Sequence, residues 1–214
     1  MAAQLLPLAV AIMLSPFPII PAILLLFTVR PRLTAAGFLA GWFLGVLVAT
    51  GLFVLIAGTV EQHDHSPSWV SWVRIGLGTA LVLLGIKQWL GRHKRTESPK
   101  WMQSLTSSTP RKALTLGALL SAANPKIVLL AAGAGVAIGA ADVSTAAQLG
   151  YAIAFSAVAS LSVAAPVTMF LVAGDRVLAP LGKARDWLER NNATIMAIVI
   201  TVIGAVLLTK GITR

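Results

Sequence analysis

Apolar residues run along this chain in unbroken stretches instead of alternating with polar ones. Five stretches stand out: Leu5–Phe27, Ala35–Gly58, Val70–Leu90, Ala113–Gly139 and Ala146–Ala173. A sixth, Ala193–Leu208, is shorter but uninterrupted. A helix needs about 20 mostly apolar residues to cross the roughly 30 Å hydrocarbon core of a bilayer, so the pattern predicts six transmembrane helices. The alternation over about ten residues that marks a strand of a membrane barrel is missing. The first stretch has no basic leader and is too long for the apolar region of a cleaved signal peptide, so it is expected to remain as a span.

Composition agrees. Of 214 residues, 57% are hydrophobic and 11% charged, where a soluble domain carries about a quarter charged residues; the mean hydropathy is +0.85. The absence of cysteine excludes disulfides, thiolate metal sites and dithiol electron transfer. No stretch would house a separate soluble enzyme domain. The expected fold is therefore an all-α integral membrane protein, one transmembrane domain over residues 1–214, with halves of approximately 1–92 and 111–214 and a basic linker at 91–112.

Charge supplies a direction. The formal net charge is +10, which in a membrane protein signals orientation and not a nucleic-acid surface. Thirteen of the seventeen basic residues follow spans one, three and five, from Arg30 and Arg32 through Lys87, the 92–112 cluster and Arg176 to Arg190. Positive-inside asymmetry puts those loops in the cytoplasm and both termini outside. Trp69, Trp72, Trp89, Trp101 and Trp187 fall at helix ends or in loops, as interfacial tryptophans do. The loop His93–Lys112 reads as a linker touching anionic headgroups. Arg176–Arg190, with Val177, Leu178, Leu181 and Leu188 toward one side, reads as a short amphipathic helix lying flat at the inner interface.

Two spans share an irregularity. The first contains Leu14-Ser15-Pro16-Phe17-Pro18, with Pro21 beyond, and the fourth contains Ala123-Asn124-Pro125-Lys126. Proline inside a helix removes a hydrogen bond and clashes with the preceding turn, but it suits the first position of a new helix when Ser or Asn precedes it as N-cap. Each span is expected to be two half-helices broken near the midplane. Gly37, Gly41 and Gly45 in span two, and Ala152, Ser156, Ser160 and Ala164 in span five, form stripes that let helices approach closely. The glycine stripe would serve packing within one chain or a homodimer seam. Three spans per half force the halves to insert in opposite senses, which suggests a 3+3 inverted repeat. Helix starts carry unpaired amides and a partial positive charge, so two such starts meeting at the midplane would make an anion site.

Away from the span ends, Lys126 is the only charged residue in the interior of any span. A central lysine costs about 3 kcal/mol on insertion scales and is functional by default. The alternative is a structural role, capping carbonyls of the broken first helix.

Asn124-Pro125-Lys126, followed by Ile127-Val128-Leu129-Leu130, resembles the signature opening the second half of the lysine-exporter superfamily. That superfamily is similar in having six helices and an inverted repeat. Ser15-Pro16-Phe17-Pro18, the length and the basic central loop look more like its peptidoglycolipid-addressing branch, which includes the sulfolipid-addressing proteins. The resemblance implies export of cell-envelope glycolipids, or their lipid-linked anionic precursors, across the plasma membrane of actinobacteria. Carried over by motif, the substrate site comprises Ser15, Pro16, Pro18, Asn124, Pro125 and Lys126, with no cofactor and no metal. The partners implied are membrane lipids and the anionic lipid itself.

Two rival readings remain. A small polar solute or metal ion is exported elsewhere in that superfamily, and Glu61-Gln62-His63-Asp64-His65 offers imidazole and carboxylate suited to a divalent ion. Yet no acidic or histidine residue lies within a span, and the buried charge is positive. A non-transporting scaffold for envelope-lipid assembly is the second rival. An enzyme is least supported, because no His, carboxylate or thiol is available inside the membrane as acid, base or nucleophile.

Overall fold

A computed structural model describes residues 1–60, 68–90, 105 and 108–212. The described residues form helices, turns and bends, with no strand among them. The helices are α1 (Ala2–Met13), α2 (Pro16–Leu24), α3 (Pro31–Val60), α4 (Ser68–Leu90), α5 (Pro110–Ala122), α6 (Pro125–Gly139), α7 (Thr145–Ala173) and α8 (Leu178–Ile212). Short 3-10 turns at Leu25–Phe27 and Gly174–Val177 extend α2 and join α7 to α8.

By length and composition, Pro31–Gly58 and Thr145–Val206 qualify as membrane spans. Two bent pairs, α1 with Pro16–Phe27 and α5 with α6, raise the number to as many as four among the described residues. Only 39% and 44% of the most apolar windows of the two continuous stretches is buried inside the protein. Apolar surface that the protein itself does not cover needs lipid, and the described residues are those of a helical membrane protein. The stretch Thr145–Val206 is not one rod, because Gly174 at φ +61 turns the chain between α7 and α8. Only glycine adopts that conformation without a steric penalty.

Helix α3 is the central element, packed against α5, α6 and α7. The glycine stripe explains how closely. A β-carbon on Gly37 would stand 2.7 Å from the Pro110 carbonyl oxygen, one on Gly45 2.8 Å from that of Ala118, and one on Gly41 would collide with that of Leu114. Gly117 answers from α5, where a β-carbon would lie 2.7 Å from the Trp42 amide nitrogen. The stripe is thus used within one chain. A second close seam joins α4 to α8, where β-carbons on Gly78 and Gly204 would come within 2.9 Å of the Leu208 nitrogen and 2.8 Å of the Val82 nitrogen. Between the seams lies a core that includes Ile12, Phe38, Trp42, Ile127, Phe155 and Met196.

The last third of the chain departs from expectation. Arg176–Arg190 is not a separate helix lying flat: from Leu178 onward it is continuous with the sixth apolar stretch in α8, 35 residues long. Between Gly182 and Gly204 the sequence has no proline or glycine, so nothing stops the helix, and Asn191 adds a side-chain bond from its amide to the Trp187 carbonyl at 2.9 Å. The apolar side assigned to this stretch does pack inward, with Leu181 buried beside Ile23, Leu26 and Phe170, and Val177 and Leu178 against them.

Trp89 and Trp187 are about half exposed. Trp101, the side chains of Trp69 and Trp72, the loop Glu61–His65 and most of the 91–112 linker lie outside the described residues. Leu105 is an exception within that linker, 3% exposed and part of the core.

Candidate functional site

Each break forms where proline dictates it. The residue before a proline is pushed out of the helical region, and Ser15 (φ −72, ψ 122) and Asn124 (φ −80, ψ 115) are both extended. Pro16 and Pro125 then open new helices, where their missing amide costs nothing. The chain bends by 49° at the first break and by 68° at the second.

The two breaks are capped differently. Asn124 caps as expected, its Oδ1 accepting from the Lys126 amide at 3.1 Å. Ser15 occupies the N-cap position, but its hydroxyl makes no capping bond. Instead it donates to Met196 Sδ at 3.4 Å. A serine cap uses an amide two or three residues on; Pro18 supplies none, and the Phe17 amide, in the position that Asn124 uses at the other break, is not taken by the Ser15 hydroxyl.

That count also thins the expected anion site. At the start of α2, Pro16 and Pro18 have no N–H, leaving Phe17 as the sole donor of the first three positions. At the start of α6, Pro125 has none and the Lys126 amide is taken by Asn124. One free backbone donor per break remains where a full first turn would offer three, and positive charge at the site comes chiefly from the lysine.

Lys126 is 5% exposed. Its ammonium donates to Met196 Sδ at 3.5 Å, a thioether and hence a weak acceptor. Among the described residues no carboxylate pairs with it, since both ion pairs are made by Arg185 on α8. Nor does it bond a carbonyl of the first span, so the capping role is not what holds it. Ser15 from the first break and Lys126 from the second therefore meet on one sulfur atom.

Of the other expected site residues, Pro16 and Pro18 are buried in the first break, Asn124 is half-buried and Pro125 is exposed. The Pro125 ring is thus turned away from the enclosed spot that Lys126 and Ser15 share. Ser156 and Ser160 on α7 are buried but satisfied by their own helix, at 2.8 and 2.7 Å to the carbonyls of Ala152 and Ser156.

Two residues had escaped the sequence reading. Met196 is 9% exposed and sits on α8 as the shared acceptor. One turn before it, on the same face, Asn192 has a buried Oδ1 with no hydrogen-bond partner. An Asn191-Asn192 pair opening an apolar run is a visible signal for the second; for Met196 there is none. On α3, the indole nitrogen of Trp42 and the hydroxyl of Thr50 are likewise buried without partners.

This two-break geometry lies within the reach of a single family match. The family model for Sap, sulfolipid-1-addressing protein, matches residues 5–213. The chain belongs to that family. No curated protein matches it and no solved structure does. The match takes in both breaks, Lys126, Asn192 and Met196, so the arrangement described is carried by the family domain itself and not by an appended segment.

Proposed function

We propose that this member of the sulfolipid-1-addressing family is a carrier, not an enzyme, that moves an anionic cell-envelope glycolipid or its lipid-linked precursor across the plasma membrane of an actinobacterium. In this reading the chain crosses six times with both termini outside, and the two halves are inverted repeats. The correspondence of packing partners supports that: α3 packs on both α5 and α6, as α7 packs on both α1 and α2, while α4 touches α6 as α8 touches α2. The self-related pairs α3–α7 and α4–α8 are also in contact.

The observation that carries the reading is Lys126. A buried ammonium is costly in hydrocarbon, and one held only by a thioether has most of its hydrogen-bonding capacity unspent. An anionic headgroup supplies what is missing, with Ser15, Asn192 and the amides of Phe17 and Ile127 as further polar contacts. The family's name brings the lipid, and the site brings the charge.

The test is transport by Lys126→Met in proteoliposomes containing a headgroup-labelled anionic glycolipid. Methionine keeps the length and removes the charge. The variant is expected to insert normally and to lose at least nine-tenths of the transport rate. Transport at the normal rate would remove Lys126 from the mechanism and the reading with it.

A further inference from the structure

A second site lies at the far end of α2, away from the breaks. There a cavity of about 450 Å³ is lined by Arg30, Arg32, Leu33, Phe170, Gly174 and Asp175. Its walls come from the start of α3 and from the corner where α7 turns into α8. Both guanidiniums are exposed, and neither forms an ion pair with Asp175 or any other described carboxylate. Pro31 opens α3, and the Arg30 carbonyl accepts the first helical bond, from the Thr34 amide at 3.0 Å. Arg30 has no side-chain oxygen with which to cap the first-turn amides of Arg32 and Leu33. Leu33 in the cavity wall is 60% exposed, and Val29 and Val172, close in sequence to the lining residues Arg30 and Phe170, are 95% and 90% exposed. Two arginines, a helix start and one carboxylate thus sit at the lip of an apolar surface.

The geometry points to a headgroup site for an anionic phospholipid, distinct from the Lys126 site. A phosphodiester matches the planar forks of Arg30 and Arg32 bidentately. Asp175 repels a second anionic group and accepts from headgroup hydroxyls, which selects a hydroxylated phosphodiester over a bare phosphate. The acyl chains lie along Leu33, Val29 and Val172. Basic residues at the ends of spans are drawn to anionic leaflets in general; the open groove that the two arginines share with Phe170, and the carboxylate beside it, are what make this a site. It does not depend on whether the chain moves a lipid.

The experiment is native mass spectrometry of the full chain released from nanodiscs of phosphatidylglycerol or of phosphatidylcholine, counting lipids retained. Wild type is expected to retain phosphatidylglycerol selectively. Arg30→Gln/Arg32→Gln is expected to lower that retention at least fivefold. Arg30→Lys/Arg32→Lys, which keeps charge but loses the fork, should fall between the two. Arg111→Gln/Lys112→Gln, on exposed residues outside the cavity, should retain it. Equal losses in both glutamine pairs would overturn the site in favour of diffuse charge attraction. Displacement of the lipid by millimolar inorganic phosphate would overturn the lipid in favour of a simple anion. Equal retention of both lipids would overturn it altogether.

Discussion

Replacing Met196 with leucine separates two roles that the sulfur atom could play. In volume and shape the exchange is mild, and such swaps in a packed core cost under about 1.5 kcal/mol. The chemical change is larger, because Ser15 at 3.4 Å and Lys126 at 3.5 Å lose their shared acceptor together. Leaving a buried hydroxyl unsatisfied costs about 1–3 kcal/mol; thioether bonds are weak, so the lower part of that range applies, and the expected loss of stability is about 1–2 kcal/mol. Binding should move the other way. If the substrate's acidic group takes the ammonium, the contact with Met196 must be given up on binding, and a ligand shifts an equilibrium only by its differential free energy between the states. Removing a competing contact of about 1 kcal/mol tightens binding about fivefold. Denaturation of the purified protein in detergent measures the first effect, and titration of a labelled anionic glycolipid into nanodiscs measures the second. Affinity that falls along with stability would make the sulfur a substrate contact. Unchanged affinity would mean that the ammonium never meets the substrate. Either result refutes the argument.

Asn124→Ala should cost about 1 kcal/mol of stability through loss of its cap, with weaker substrate binding as the start of α6 loosens; thermal unfolding and the same titration check both. Gly41→Ala should destabilise by about 1–3 kcal/mol, because the added carbon meets the Leu114 backbone and the two helices must part. Gly51→Ala on the same helix, with nothing within 4 Å of the added carbon, should be neutral or stabilise by up to about 1 kcal/mol, so equal melting shifts in the two variants would contradict the packing described. The chain has no cysteine, so single cysteines report topology cleanly: Asp142→Cys should label with an impermeant maleimide on intact cells, and Lys112→Cys only after lysis.

Much of this was legible because it is local. Ser15-Pro16 and Asn124-Pro125 interrupt apolar runs with a capping residue followed by proline, a pair that favours a helix start, whereas Pro7, Pro21 and Pro166, without such a cap, stay inside helices. Lys126 is conspicuous because any charge within such a run is. What could not be read depends on contacts far apart in sequence. Met196 lies in an apolar stretch where a methionine is ordinary, and only the packing of α8 against both breaks turns its sulfur into an acceptor. The exposure of Pro125 depends on the direction in which α5 and α6 bend. The joining of Arg176–Arg190 to the sixth apolar stretch is an intermediate case: polarity suggested a boundary, but a boundary in a helix needs a breaker, and none stands between Lys183 and Ile203. The missing backbone donors were in view throughout, since Pro16 and Pro18 announce them, and needed only to be counted.

The prolines that interrupt the first and fourth apolar runs also decide where this protein is pliable. Bending an uninterrupted helix such as α3 stretches ladder bonds that hold it straight, whereas at Ser15-Pro16 and Asn124-Pro125 the ladder is already interrupted. The 49° bend is therefore the less braced of the two, because both arms of the 68° bend are packed on α3 through Gly117, Gly135 and Gly139. The α4–α8 pair, held close at Gly78 and Gly204, and α3 with both α5 and α6, held close at Gly41, Gly117, Gly135 and Gly139, form two tightly packed units. Met196 belongs to the first unit and Lys126 to the second, so any separation of the two would draw the sulfur from the ammonium.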